Sequence, residues 1–398
     1  MTAETAQRFA DLEAQAQRLM ATFAYAGYEA VAPAVIQPAG VFLDAIGETL
    51  RARTYVFTDP DGTELCLRPD LTVPTCRLHL ARLSNVTNPA RYCYNGPAFR
   101  YQPTGADDAH PREFRQAGIE LFGAADPSEA EAEILDLIVQ ALAAAGLDRH
   151  ALTMQFGDLG LMAALLDALD MPPLWRARLK ARFGRPAAFK AELDRLTEGG
   201  ARAPLKIPAA LQAELQGARG GALVARVGAH LDAHGLEIIG ARSLADVAEG
   251  LAATIEDARA QPLSRATASL INSYIGIDAP CRRAGDEIAA LVRPAGLDLA
   301  RPLEQFARRL DCLNARRIDL GAATYSGSFG RTLGYYTGFV FEIGGPGLKA
   351  NSPVAGGGRY DGLLRIAGSS VDIPAVGAAI HTERLLAATA AATGETVP

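Results

Sequence analysis

Residues 91–121 restrict the possible fold more than any other part of the chain, because they read as two strands joined by a polar loop. Arg91–Tyr101 carries Tyr92, Tyr94, Phe99 and Tyr101, the aromatic enrichment of a strand. TGADDAHP follows, a run of turn formers that continues neither strand. The second strand starts near Arg112. Its alternation puts Arg112, Phe114, Gln116, Gly118 and Glu120 on one face, and Glu113, Arg115, Ala117, Ile119 and Leu121 on the other. The second face turns apolar toward its end and is expected to meet a helix. On the first, Gln116 and Glu120 flank a glycine, and a strand glycine marks a close approach of a ligand or another backbone. This face is either the floor of a small polar ligand site or a solvated sheet surface.

At 398 residues the chain exceeds one ordinary core. Hydrophobic content of 49% with a mean hydropathy of +0.06 specifies a globular protein. No apolar run reaches bilayer length, and the N-terminus has no signal-peptide core, so a cytoplasmic protein without a membrane partner is expected. Five scattered cysteines with no CxxC pair, and six dispersed histidines with no HExxH, argue against a disulfide framework or a metal site. The formal charge of −6 and pI near 5.6 disfavour a phosphate-backbone partner. The basic run Trp175–Arg185 reads as the solvated face of a helix.

Periodicity predicts a helix over residues 4–26, with Phe9, Leu12, Leu19 and Phe23 on one face and Gly27 as its stop. YEAVAPAVIQP is extended and suits an edge strand. Thr54–Leu67 reads as a hairpin turning at Asp61-Gly62. Asp126-Pro127-Ser128-Glu129 is a helix start, with Gly146 as the stop, and LTMQFGD (152–158) is another strand. From about 161 helical spacing dominates, with a small α/β unit expected around Ala222–Arg242. Strands return at Ile318, in 334–343 and in 374–380, before a final helix at Glu383–Ala392. The expected fold is α+β, an antiparallel sheet flanked by helices. Its two parts, 1–160 and 318–398, are split by a mostly helical insertion over 161–317.

Gly356-Gly357-Gly358-Arg359 lacks the Lys-Ser/Thr of a phosphate loop, no dinucleotide fingerprint occurs and GxSxG is absent, so no cofactor is called for. Polar groups accumulate instead at strand ends and on strand faces: Asp70 and Thr72 beyond a strand, Arg100, Gln116 and Glu120. Tyr336 lies between Gly334 and Gly338, with Arg331 before it, and Arg359-Tyr360-Asp361 follows a triple-glycine turn. Together they complement an amino acid, carboxylates for an ammonium and arginines for a carboxylate. At ~1.5–3 kcal/mol per charge-assisted hydrogen bond, three or four suffice for micromolar affinity.

In LRPDLT (67–72), FRYQ…REFRQAGIELFG (99–123), GRTLGYYTGFVFE (330–342), AGGGRYDGL (355–363) and PAVGAAIHTERLL (374–386), the chain resembles the catalytic core of class II aminoacyl-tRNA synthetases, specifically histidyl-tRNA synthetase. The resemblance implies that Asp70, Thr72 and Gln116 hold a histidine ammonium. Arg100, with Arg331 as a second candidate, would take the carboxylate, and Glu120 and Tyr336 the imidazole, while Tyr335 and Tyr360 line the pocket.

The chain departs from the synthetases where they grip ATP. Asp70 and Gln102 replace glutamates, the loop after Tyr101 has two aspartates and no arginine, Gly334 replaces an aspartate, and His381-Thr382 stand where Gly-Leu is usual; Arg384 is kept. A triphosphate site with added carboxylates and fewer cations is electrostatically wrong. After Arg384 only a short helix and tail follow, so no anticodon-binding domain and no tRNA partner are expected. LRPD-x-T and this pattern are similar to the regulatory subunits of ATP phosphoribosyltransferase, paralogues of the synthetase. That resemblance implies a non-catalytic subunit that activates a short catalytic subunit and relays L-histidine inhibition in histidine biosynthesis. It also implies a homodimer through the Pro33 region within a hetero-octamer. The competing expectation is a ligase that activates histidine for an acceptor other than tRNA, favoured by Arg100, Arg331 and Arg384.

Overall fold

The computed structural model describes residues 5–45, 51–82, 85–103, 105–107, 110–198, 207–238, 243–331 and 333–394. Thr104, Asp108 and Ala109 of the polar loop therefore lie outside the described residues, as do 239–242. The chain divides into two compact units, 1–164 with 274–398, and 165–273. None of the described helices is long and apolar enough to cross a membrane.

The first unit is built on a mixed sheet. Its strands are β1 (Glu29–Ala30), β5 (Ala90–Phe99), β6 (Glu113–Phe122), β7 (Thr153–Asp158), β8 (Asp278–Pro280), β9 (Ala323–Ser326), β10 (Phe339–Gly344), β11 (Ala355–Arg359) and β12 (Ala375–His381). They lie in the order β1-β5-β6-β12-β11-β10-β7-β9-β8, antiparallel except for β1 on β5 and β7 on β9. β2 (Ile36–Pro38), β3 (Val56–Thr58) and β4 (Glu64–Leu67) form a small separate sheet, turned at Gly62 with φ +89°. The pairing of β5 with β6, Tyr94 opposite Gly118 and Gly96 opposite Gln116, is the hairpin expected from the aromatic pattern.

Ala117, Ile119 and Leu121 of β6 are buried beneath helices Ala6–Tyr25, Pro127–Ala144 and Thr382–Thr393. The first of these helices presents Leu12, Ala16, Leu19 and Phe23 inward and ends before Gly27 at φ +85°, while Phe9 stays exposed under the Arg115 guanidinium. Asp126 caps Pro127–Ala144 through the Ser128 and Glu129 N–H groups, and Glu129 itself pairs with Arg316. A buried ion cluster binds these layers. Glu131 receives Arg309 from helix Ala300–Ala315 and Arg359 from β11, and Arg309 also donates to Asp158 of β7 at 2.8 Å.

Several expected boundaries move. The stretch 161–317 does not act as one insertion, because residues 274–317 supply β8 and two helices that pack with β9 and Pro127–Ala144. The strand expected over 334–343 begins at Phe339, with Tyr335 and Tyr336 in the loop before it. The triple glycine is a strand and not a turn: β11 pairs on both sides, with Gly357 opposite Phe341 and Ala378. The strand expected at Ile318 starts at Ala323. Residues 220–233 are a single helix, and the described part of 222–242 contains no strand.

The second unit is helical. Leu211, Leu215, Leu223, Val227, Ala248 and Ile255 form a core cluster of their own. The basic run from Trp175 is consumed inside this unit: the buried Trp175 indole donates to Asp257, Arg178 pairs with Asp257 at 2.8 Å, and Lys180 pairs with Asp167 at 2.8 Å.

Candidate functional site

Residues directly opposed in the ladder share a sheet face. Register therefore sets Phe114, Gln116, Gly118 and Glu120 of β6 beside Ala98, Gly96, Tyr94 and Tyr92 of β5. On the other side stand His381, Ala379 and Gly377 of β12, then Gly356 and Gly358 of β11, then Glu342 and Val340 of β10. Glycine and alanine on this face of four of the strands, β5, β6, β12 and β11, thin its side-chain layer, and the space is taken by long polar groups. A Cβ at Gly377 would collide with the Glu120 carboxylate, and one at Gly356 with the Arg331 guanidinium. A Cβ at Gly118 would stand 2.6 Å from the Tyr94 hydroxyl and from the Ala378 carbonyl oxygen, so this glycine admits a side chain and a backbone. The face is not solvated; Gln116 and Glu120 are buried.

A cavity of about 350 Å³ remains above this floor, at the small end of ligand pockets (~300–1,000 Å³). Asp70, Thr72, Arg100, Gln116, Arg331, Tyr335 and Tyr336 line it, while Glu120 and Tyr360 stand behind the wall. Asp70 accepts from the Val73 N–H at 3.2 Å at the start of helix Thr72–Arg82, and the Tyr335 hydroxyl reaches it at 3.5 Å. Burial raises the Asp70 carboxyl, against the pull of Arg100. Gln116 Oε1 is buried with no hydrogen-bond partner, an uncompensated acceptor at the cavity wall. Arg331 is held over Tyr336, 5.7 Å from its ring centre, and donates to the Phe341 carbonyl at 3.2 Å. Arg100 lies 4.9 Å over Phe114 and donates to the Pro69 carbonyl at 2.8 Å.

Tyr360 packs behind the lining Tyr335 and Tyr336, the three rings edge to face or tilted with 4.9–6.2 Å between centres. The Glu120 carboxylate accepts from Tyr94 at 2.9 Å and from Tyr360. Burial pushes its pKa up to about 7, and the hydrogen bonds from Tyr360, Thr72 and Tyr94 oppose that rise. Glu120 thus reaches the cavity through the hydroxyls that surround it.

Sequence reasoning left out Arg53, His110, Phe114 and Glu342 as site residues and took His381 and Arg384 only as motif positions; all six line the cavity. Alternation in GFVFE does put Val340 and Glu342 on one face, a usable signal. Arg53 carries none, since it comes from a turn beside the small sheet. Among the described residues no cluster of three His, Cys, Asp or Glu could hold a metal ion.

The histidyl-tRNA synthetase family profile matches residues 4–256 and 248–385. A Bacillus halodurans structure titled as an ATP phosphoribosyltransferase regulatory subunit/histidyl-tRNA synthetase superposes with a TM-score of 0.65 at 19% identity, covering 98% of this chain and 82% of that one. A histidine–tRNA ligase subunit from Alicyclobacillus acidocaldarius gives 0.59 at 24% identity, over 99% and 97%. Sheet order and cavity thus define a class II, histidyl-tRNA synthetase-like core. Two curated proteins named ATP phosphoribosyltransferase regulatory subunit refine this. The one from a Chelativorans species is 35% identical over 356 residues, 88% of this chain and 91% of its own length. The one from Mesorhizobium japonicum is 35% identical over 367 residues, 91% of this chain and 94% of its own. The chain belongs to the family of ATP phosphoribosyltransferase regulatory subunits, non-catalytic members of an enzyme complex.

Proposed function

We propose that the cavity binds L-histidine and that its occupancy is passed to a short-form catalytic ATP phosphoribosyltransferase, which this chain activates and through which histidine inhibits. One observation carries the reading: the cavity sets Asp70 and the unpartnered Gln116 Oε1 against the guanidinium groups of Arg100 and Arg331. A zwitterion matches that division, its ammonium toward Asp70, Thr72 and Gln116 and its carboxylate toward Arg100 or Arg331. Tyr335 and Tyr336 supply the flat wall for an imidazole, and the Tyr360 ring, its hydroxyl bonded to Glu120, packs against both from behind. A homodimer through the Pro33 segment, assembled into a hetero-octamer, is part of the same proposal.

The test is phosphoribosyl transfer to ATP by the catalytic subunit, with and without this chain, across a histidine titration. Activation by the chain, followed by histidine-dependent loss, is expected. Gln116→Ala removes one hydrogen bond to an ammonium and is expected to raise the half-inhibitory histidine concentration ~10-fold or more. An unchanged titration in that variant removes the cavity from the mechanism. Histidine-dependent ATP–pyrophosphate exchange by the chain alone would restore the ligase reading, which the family membership does not favour.

A further inference from the structure

The helical unit carries a pair of imidazoles that the cavity in the sheet does not use. Helix Gly220–Ala233 has His230 in its last turn and His234 as its C-cap. The run His-Leu-Asp-Ala-His has the spacing of the two histidines in HExxH, without the glutamate. Residues four apart are neighbours on one face of a helix, and here the rings meet: their centres stand 4.2 Å apart, with 31° between the planes. Counted along the helix, Leu223, Val227, His230 and His234 follow each other at the spacing of a single stripe. The first two are buried in the core of this unit, His230 is half-buried and His234 is exposed. The stripe thus runs past the end of the core and finishes in two imidazoles at the surface.

His234 is oriented as a ligand would be. Its Nδ1 lies 2.9 Å from the His230 carbonyl oxygen, which can only accept, so Nδ1 carries the proton and Nε2 keeps its lone pair. A hydrogen bond of this kind to a carbonyl is the usual support of a metal-ligating histidine. Metal–imidazole bonds are ~2.0–2.1 Å, so two nitrogens on one ion stand no more than ~4 Å apart. Rings with centres 4.2 Å apart meet that limit by side-chain rotation, with the backbone unmoved. The last carbonyls of the helix form the negative end of its dipole, which favours a cation at this end. Both histidines line a hollow of about 410 Å³, with Glu214 of helix Ala209–Leu215 and with Arg226, whose guanidinium donates to the Glu214 carbonyl. Among the described residues no third His, Cys, Asp or Glu completes a closed set, so water must fill the other positions on an ion.

We infer that His230 and His234 form a two-point chelate for a divalent transition metal ion, of the class of Zn²⁺, Ni²⁺ and Cu²⁺, held with water and exchanging with the solvent. Imidazole nitrogen selects these ions over Mg²⁺ and Ca²⁺, which take oxygen ligands. An ion that spans residues 230 and 234 ties the last turn of the helix to the residue that follows it. Because it binds only the formed turn, it stabilises that turn by mass action. The inference is independent of what occupies the cavity in the sheet.

Titration calorimetry on the full chain, free of any affinity tag, tests it with zinc chloride as the probe. All five cysteines are buried, so thiols of the folded chain do not compete. One Zn²⁺ per chain is expected, with copper chloride binding more tightly and magnesium chloride not binding. His230→Ala and His234→Ala should each weaken Zn²⁺ about tenfold or more. Alanine is the better helix former, so neither change endangers the helix. His150→Ala, at an exposed histidine of the other unit, should leave binding as it is. Hydrogen exchange reads the consequence for the helix end. The Gly235 and Leu236 N–H groups donate to the Asp232 and Leu231 carbonyls at 3.3 and 2.9 Å. With saturating Zn²⁺ they should exchange several-fold more slowly, and His234→Ala should abolish that protection. The inference is overturned by no Zn²⁺ binding, by binding that either helix substitution leaves unchanged or that His150→Ala removes, by Mg²⁺ binding as tightly as Zn²⁺, or by bound Zn²⁺ that leaves exchange at Gly235 and Leu236 unaltered.

Discussion

Glu120 owes its chemistry to its neighbours. Burial, in the space that Gly377 leaves by having no Cβ, raises it from 4.5 to about 7, against the hydrogen bonds from Tyr360 and Tyr94. Between those values the folded chain keeps a proton that the unfolded chain has released. Stability therefore falls as pH rises through that window and levels off above it. The loss is at most a few kcal/mol. Glu120→Gln removes the titration while keeping shape, so melting temperature measured from roughly pH 5 to 8 should decline in the wild type relative to the variant. Parallel curves would assign the pH response to another group. The residue was legible as a site candidate from strand alternation alone. Its position behind the cavity wall was not, because alternation gives a face but not which hydroxyls close over it. His381 shows the converse: its place at the end of a strand was readable, but its stacking on Phe114 depends on the register of β12 against β6.

Elements with a clear local signal came out as read. The Asp126 cap, the Asp61-Gly62 turn and the aromatic β5–β6 hairpin each have their cause within a few residues. Elements whose reason lies across the sheet did not. The glycines of β11 look like a turn until β10 and β12 are placed on either side, where Arg331, Ala378 and Val340 occupy the space of three side chains. Helices Cys281–Val292 and Ala300–Ala315 are amphipathic, as are helices of the 165–273 unit, and periodicity gives a buried face but not which core it covers. What assigns the second to the sheet is Arg309. It is buried and bonded to Glu131 and Asp158, and Glu131 also takes Arg359. Removing Glu131 leaves two buried guanidinium groups short of charge, so Glu131→Ala should cost ~3–5 kcal/mol in chemical denaturation. A cost below ~1 kcal/mol would mean that water reaches the cluster and that apolar packing alone holds these layers.

For the whole molecule, the proposed regulation by histidine requires that the ligand distinguish two states of the complex, because a ligand of equal affinity for both shifts nothing. A coupling of ~1–3 kcal/mol corresponds to ~5–150-fold. Whatever its size, linkage makes it reciprocal. The factor by which the catalytic subunit changes the affinity of this chain for histidine must equal the factor by which histidine changes the affinity between the subunits. Both are measurable, the first by calorimetry on the chain alone and in the complex, the second by subunit titration with and without histidine. Equal factors are expected, both collapsing toward one in Gln116→Ala, whose side chain contributes the unpartnered acceptor of the cavity. Unequal factors would place a histidine site outside this chain, since a single coupled site permits only one value.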